Sequence, residues 1–104
     1  MVRTKESKRG VNKRAKKYGA RGKHTLSDWK WLKLKFGYRC LKCLRPQSND
    51  VKLSIDHIVP LARGGTNDLS NIQPLCGRCN VEKDQEIIDY RATFEYRLEK
   101  AYKL

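Results

Sequence analysis

The stretch Cys76-Gly-Arg-Cys79 repeats a pattern that first occurs as Cys40-Leu-Lys-Cys43. Two residues between two cysteines allow both sulfurs to bind one metal ion, at about 2.3 Å for zinc. Two such pairs complete a closed tetrahedral site, so we expect structural zinc rather than catalysis at this centre. Two redox-active pairs or two disulfides are the alternatives. The basic neighbours Arg39, Lys42 and Arg78 favour thiolates and therefore also favour zinc. The expected zinc ligands are Cys40, Cys43, Cys76 and Cys79.

The segment between the pairs, residues 44–75, is longer than the spacing of a common zinc ribbon, which is about 15–20 residues. Apolar residues alternate with polar ones over Val51–Ile55, which predicts a half-buried strand that ends at Asp56-His57. Gly64–Asp68 has the composition of a loop, and Ile72–Leu75 predicts a second short strand. Four polar residues should converge where the first strand meets the helix after the second pair: Asp56, His57, Asn71 and Asn80.

A helical signal precedes the first cysteine pair. Thr25-Leu-Ser-Asp28 fits a capping box, in which the side chains of the first and last residues bond each other's backbone. Trp29, Leu32 and Phe36 then recur along one helical face, and the glycine after Phe36 suits the end of the helix. We expect this helix to cover the core, with both Trp29 and Trp31 packed inside; stacking of the tryptophans on nucleic-acid bases is the alternative.

The C-terminal part of the chain also has a helical pattern. From Gly77 onward, apolar residues recur at helical spacing through Ile87, Tyr90 and Phe94. We expect helix as far as the C-terminus, either continuous or broken near Asp84 into two helices.

Charge divides the chain into two parts. The chain has 104 residues, and 24 Lys and Arg against 11 Asp and Glu give a net charge of +13. Residues 1–24 are basic and contain few apolar residues, so we expect a flexible basic arm followed by one domain over 25–104. This charge indicates a polyanionic partner, with nucleic acid first and an anionic membrane surface second. A solubilising tail is the alternative for the arm. The arm residues expected to contact phosphate are Lys13, Arg14, Lys16 and Lys17.

Hydropathy excludes two classes of protein. No apolar run approaches the roughly 20 residues that a membrane-spanning helix needs. No apolar segment follows the basic N-terminus as it does in a secretory signal. We therefore expect no membrane partner and a reducing cytoplasm, where cysteines bind metal more often than they form disulfides.

Taken together, these segments resemble the HNH endonucleases, which are ββα-metal (His-Me finger) nucleases. The resemblance is carried by Leu53–Pro60, Gly64–Asp68, Asn71 and Cys76–Lys83, and it covers about residues 29–84. The paired cysteines stand where zinc-containing members carry them, and small phage-encoded members have a similar length and basic arm. The resemblance implies an α+β fold, with a ββα-metal finger core, a structural Cys₄ zinc site and flanking helices.

The resemblance also implies a role for each polar residue. The residue matching His57 is the general base, those matching Asp56 and Asn80 bind a divalent ion, and the one matching Asn71 shapes the loop and orients the histidine. The family usually has histidine at the position of Asn80. Because an amide oxygen suits hard ions, we expect Mg²⁺ or Mn²⁺ as the catalytic ion. Contacts to DNA phosphates are expected from Arg63, Arg78 and Lys83, besides the arm.

Simpler interpretations of these residues stay open. Asp56 also suits a pairing with a lysine, Asn71 a loop cap, and Asn80 the N-cap of the helix. Arg63 and Lys83 also suit solvated positions on the surface.

The function that the resemblance implies is metal-dependent hydrolysis of DNA, by nicking or by double-strand cleavage. Similar phage proteins assist genome packaging, so a terminase or another packaging protein is a further expected partner, in the cytoplasm of a bacterial host. We expect a monomer. Two alternatives stay open: a catalytically inactive, zinc-stabilised nucleic-acid-binding module, and a basic zinc-ribbon component of a ribonucleoprotein.

Overall fold

The structure, a computed structural model, describes residues 19–102. A two-stranded antiparallel sheet lies at its centre, and the strands are followed directly by a helix. This ββα order confirms the α+β prediction. Among the described residues, no helix is both long enough and apolar enough to cross a membrane. The regular elements in chain order are α1 (Leu26–Lys35), β1 (Leu53–His57), β2 (Ile72–Cys76), α2 (Gly77–Lys83) and α3 (Phe94–Tyr102).

Alternation along β1 separates the two faces of the sheet. Ile55 packs with Trp29 and Leu32 of α1. Ser54 and Asp56 point to the opposite face and make polar contacts with α2. Helices thus cover both faces, which is why β1 buries residues on both sides and β2 is buried along its whole length.

The first helix begins at its predicted capping box. The Thr25 hydroxyl accepts a hydrogen bond from the backbone N–H of Asp28 at 3.0 Å, and the Thr25 N–H donates to the Asp28 carboxylate at 2.8 Å. Trp29 and Leu32 are buried as predicted. The prediction that Trp31 packs inside is wrong, because its side chain is 51% exposed. Trp31 follows Trp29 by two residues, which corresponds to a rotation of about 200° around the helix axis. Trp31 therefore points away from the core.

The segment between α2 and α3, residues 84–93, is not helical, although the apolar spacing predicts helix there. The predicted break is present, and Asp84 leaves the helical conformation with φ 50°. Beyond it, the buried amide of Gln73 donates to the Ile88 carbonyl at 2.9 Å and accepts from the Tyr90 N–H at 2.9 Å. These tertiary bonds hold the backbone in an irregular conformation that helical spacing alone does not reveal.

Helix α3 is attached to the first cysteine pair. The guanidinium of Arg97 donates to the carbonyl oxygens of Leu41 at 2.6 Å and Lys42 at 3.1 Å. Phe94 is buried at the start of the helix and meets the ring of Phe36 edge-on, with the ring centroids 5.2 Å apart. The C-terminal helix is therefore part of the packing around the cysteine pairs.

The chain packs against the domain before α1 begins. His24 is 3% exposed, and its Nδ1 lies 2.9 Å from the Asn67 carbonyl oxygen. The Asn67 N–H donates to the Arg21 carbonyl at 2.8 Å. The division into arm and domain at residue 24 stays a prediction, but the Arg21 carbonyl and the buried His24 both contact Asn67 of the domain. The predicted phosphate contacts Lys13, Arg14, Lys16 and Lys17 lie outside the described residues.

Candidate metal centre and active site

The two cysteine pairs meet beside the sheet. Their four sulfur atoms lie within 4.8 Å of one another, and the sulfurs of Cys43 and Cys76 are 3.9 Å apart. All four cysteines are free thiols; three are buried and Cys43 is exposed. Four soft sulfur donors at these separations fit tetrahedral binding of a metal such as zinc. The four predicted ligands are thus brought together at one site.

Backbone hydrogen bonds bring each pair to this point. The Leu44 N–H donates to the Cys40 carbonyl at 2.8 Å, and Leu44 adopts a left-handed conformation with φ 68° that closes the first turn. The Leu41 N–H donates to the Pro74 carbonyl at 3.0 Å, which attaches the first pair to β2. The second pair spans the junction of β2 and α2. The sheet and its following helix therefore fix both halves of the metal centre.

Arg45 is a basic side chain that contacts the sulfurs directly. Its Nε lies 3.4 Å from the Cys43 sulfur and its Nη2 3.8 Å from the Cys76 sulfur. Burial raises the pKa of the Cys40 and Cys79 thiols. Desolvation also opposes ionisation of Cys43, but hydrogen bonds from the side chain and backbone of Arg45 and from Cys40 and Cys79 together outweigh it and lower the pKa of Cys43 to about 6. The sequence prediction names other basic neighbours and misses Arg45, although its position just after the first pair is a signal.

Asp56 is a buried carboxylate, 4% exposed, between β1 and α2. Its Oδ2 accepts a hydrogen bond from Gln73 Nε2 at 2.8 Å and lies 3.3 Å from Lys83 Nζ. Burial raises the pKa of Asp56, while the Gln73 hydrogen bond and the positive charge of Lys83 act in the opposite direction. The lysine pairing that the sequence leaves open is thus present.

Lys83 lies inside the protein, and its side chain is fully buried. Besides pairing with Asp56, its ammonium donates to the His57 carbonyl at 3.0 Å. The predicted phosphate contact at Lys83 does not fit this position, since a buried ammonium does not reach DNA at the surface. The reason is helical geometry: Lys83 follows Asn80 by three residues and therefore shares the face of α2 that covers the sheet.

Asn80 lies inside α2 and faces β1. Its Nδ2 donates to the Ser54 hydroxyl at 2.9 Å and to the Ile55 carbonyl at 3.3 Å. Cys76 occupies the N-cap of this helix, so the helix-capping interpretation of Asn80 is wrong. Because the nitrogen of the amide makes both hydrogen bonds, the oxygen is the atom that suits a hard divalent ion. Asn80 and Asp56 both lie between β1 and α2.

His57 ends β1 and is half-buried, with its Nε2 2.9 Å from the Asn67 Oδ1. Asn71 contacts the loop that follows. Its Oδ1 accepts from the Val59 N–H at 3.0 Å, and its Nδ2 donates to the carbonyls of Val59 at 3.1 Å and Thr66 at 2.7 Å. These bonds close the loop directly after His57. A role of Asn71 in shaping this loop fits its contacts.

The two other residues predicted to contact DNA are on the surface. Arg63 is exposed and donates to the Gln85 carbonyl at 3.1 Å. The side chain of Arg78 is 76% exposed and lies 3.9 Å from the Glu82 carboxylate. An exposed ion pair of this kind is weak, so it leaves the guanidinium accessible to a phosphate.

A ββα unit, a four-cysteine centre and an Asp-His pair at the end of β1 define a small metal-binding α+β domain. The family model for HNH endonuclease matches residues 40–86. This range contains both cysteine pairs, both strands and α2, so the part of the chain that is similar to HNH endonucleases is the ββα unit with its four-cysteine centre. Searches among curated proteins and among solved structures give no match.

Proposed function

We propose that this protein is a metal-dependent DNA endonuclease whose general base is His57. The observation that carries the proposal is the Asp56-His57 pair at the end of β1, inside a domain that matches HNH endonucleases over residues 40–86. Asn80 lies on the face of α2 that covers this strand. Asp56 and Asn80 thus share one strand–helix junction, and His57 is the residue next to Asp56 at the end of the strand.

Hydrolysis of a phosphodiester needs a base for the attacking water and stabilisation of the charge on the phosphate. An imidazole is a common general base in enzymes, and His57 is half-buried at the end of β1, so it suits the removal of a proton from water. Asp56 and Asn80 would hold Mg²⁺ or Mn²⁺ through a carboxylate and an amide oxygen. When bound, this ion supplies stabilisation of the scissile phosphate and the leaving oxygen. By resemblance to the family, the products are 5′-phosphate and 3′-hydroxyl ends.

The surroundings of Asp56 add a requirement. Its carboxylate already binds Lys83 and Gln73. A divalent ion must therefore share the carboxylate with Lys83 or replace Lys83 there. The ion pair also favours a second candidate function, a nucleic-acid-binding module without catalysis. In that module, Asp56 and Lys83 serve the fold alone.

Binding and cleavage of one labelled DNA duplex distinguish the two functions. For an endonuclease, wild-type protein binds the duplex and cuts it in Mg²⁺ or Mn²⁺. His57→Ala should then keep its affinity in a fluorescence anisotropy titration and lose about 10²-fold or more of the cleavage rate. Asn49→Ala, in an exposed loop, is the matched control and should behave as wild type. Binding by wild type without cleavage in either ion would favour the binding module.

Two surface arginines and the high net charge support contacts that are mainly to phosphate. Arg63 and Arg78 are exposed, and the chain carries +13. Affinity should therefore fall steeply as salt rises, because each phosphate contact releases counterions. A nearly flat dependence on salt would argue against phosphate contacts.

From the resemblance to small phage proteins, we also infer that the protein acts as a monomer in the cytoplasm of a bacterial host, beside a phage terminase. Co-purification of tagged protein with terminase from infected cells tests this partner. Failure to bind purified terminase would reject the packaging role and would not affect the proposed endonuclease.

A further inference from the structure

Asn67 joins His57 to the segment of chain that precedes α1. It lies in the connection between β1 and β2 and is 1% exposed. Its Oδ1 is 2.9 Å from Nε2 of His57. On its other side, its N–H donates to the Arg21 carbonyl at 2.8 Å, and its carbonyl oxygen is 2.9 Å from Nδ1 of His24. One buried residue therefore connects the candidate base with residues 21–24.

The chemistry of these contacts fixes which atoms donate. An amide oxygen and a backbone carbonyl oxygen only accept hydrogen bonds, so each ring nitrogen that faces Asn67 carries a proton. His57 is then protonated on Nε2, and in the neutral ring Nδ1 is the basic nitrogen. His24 is protonated on Nδ1. The contact with Asn67 therefore selects a tautomer of His57 and limits rotation of its ring.

Residues 21–24 are fitted closely to the loop that contains Asn67. Gly22 has φ +82°, and a Cβ atom added there would overlap the side chain of Asp68. Gly19 has a similar conformation, with φ +66°, but a Cβ atom added there meets nothing within 4 Å. His24 is itself buried. A Cβ atom at Gly22 would therefore require the side chain of Asp68, next to Asn67, to move, and the positive φ also favours glycine there.

We propose that Asn67 is a positioning residue for His57, and that Arg21–His24 hold Asn67 in place. The inference rests on the proposed function, in which His57 is the base. A group that takes a proton from water works only in the correct tautomer and orientation, and a displacement of about 1 Å costs up to about 100-fold in rate. Residues 21–24, at the end of the predicted basic arm, then help to position the active site in addition to contributing positive charge.

Ring N–H signals of the two histidines test this contact without any activity measurement. A ring N–H is visible by ¹⁵N NMR when a hydrogen bond protects it from exchange with water. Full-length wild type should show two such signals, Nε2–H of His57 and Nδ1–H of His24, which His57→Gln assigns by loss of the first. Asn67→Ala should remove the His57 signal and keep that of His24, since His24 bonds to the backbone of residue 67. Asn67→Asp keeps an acceptor oxygen and should keep both signals.

Kinetics with Mg²⁺ or Mn²⁺ and duplex DNA provide the second readout. Asn67→Ala should lower kcat by up to about 100-fold with little change in KM, and Asn67→Asp should restore most of the rate. Gly22→Ala should weaken both ring signals and lower kcat, because its Cβ forces the side chain of Asp68, the neighbour of Asn67, out of its place. Gly19→Ala is the matched control, with the same left-handed conformation but no contact, and should retain both.

Two results would overturn the inference. One is a wild-type protein without a protected His57 N–H, which decides the question even if Asn67→Ala does not fold. The other is an Asn67→Ala protein that keeps the protected His57 N–H and full kcat. A wild type that shows the protected signal but never cuts DNA would reject the proposed endonuclease while supporting the contact between His57 and Asn67.

Discussion

The buried pair of Asp56 and Lys83 leads to a quantitative prediction for Lys83→Met. Methionine keeps most of the apolar stem of lysine but removes the ammonium 3.3 Å from Asp56 Oδ2. The carboxylate is 4% exposed, and among the described residues it keeps Gln73, a neutral partner. Removing one partner of a buried ion pair costs about 3–5 kcal/mol, because the remaining charge is buried without compensation. We expect a loss of this size at neutral pH.

The pH dependence has a defined sign. Burial already raises the pKa of Asp56 above its ordinary 3.8, and loss of the positive charge of Lys83 should raise it further. When folding raises the pKa of a carboxyl group, the protonated group stabilises the folded protein at pH values below the pKa of that group in the unfolded chain. This stabilisation is lost as pH rises through the pKa of the group in the folded protein. Because Lys83→Met raises the pKa of Asp56 in the folded protein further, the loss of stability continues to higher pH in this variant. Its cost should therefore be large at about pH 7 and smaller at about pH 5, where more of Asp56 is protonated.

Urea unfolding followed by circular dichroism, with zinc in excess throughout, measures this cost. Lys52→Met is the control because Lys52 is exposed just before β1, and it should change the free energy of unfolding by less than about 0.5 kcal/mol. Asp56→Asn combined with Lys83→Met should recover part of the loss, since no charge is then buried. A cost below about 1 kcal/mol for Lys83→Met, or the same cost at both pH values, would refute the reasoning.

Other parts of the structure give further predictions. Arg97→Ala should lower the free energy of unfolding by at least about 2 kcal/mol, since it removes charged hydrogen bonds to the first cysteine pair; urea unfolding measures this. Trp29→Ala should cost about 3–5 kcal/mol, whereas Trp31→Ala should cost less than about 0.5 kcal/mol; equal losses would contradict the assigned faces of α1. A chelator should lower the melting temperature and added zinc should restore it, because a structural metal couples binding to folding. Zinc affinity in a competition titration should fall as pH falls, since burial raises the pKa of Cys40 and Cys79 and binding requires thiolates.

Local sequence patterns are sufficient to predict the elements that form through contacts between residues close together in the chain. The capping box at Thr25, the alternation in β1 and the two cysteine pairs each act over a few residues. Each therefore leaves a pattern that is readable from spacing alone. The convergence of Cys40–Cys43 with Cys76–Cys79 is also predictable, because four thiols at this spacing share one chemistry.

Contacts between distant residues leave no comparable pattern. The sequence predicts a surface position for Lys83 because lysines are usually exposed. Only the packing of α2 on the sheet shows that Lys83 is buried. Residues 84–93 have helical spacing, but the amide of Gln73 holds their backbone in another conformation. Asn67 stands in a loop of glycines and polar residues, where an asparagine ordinarily indicates a turn. Its contacts with His57 and His24 depend on the fold.

Conversion of supercoiled plasmid to nicked circles tests the central claim most directly. Wild type should nick the plasmid in Mg²⁺ or Mn²⁺, and EDTA should stop the reaction. His57→Ala should bind the plasmid without nicking it, while Asn49→Ala should nick it as wild type does. Nicking by His57→Ala at the wild-type rate would contradict the assignment of the base, and nicking in EDTA would contradict the requirement for a divalent ion.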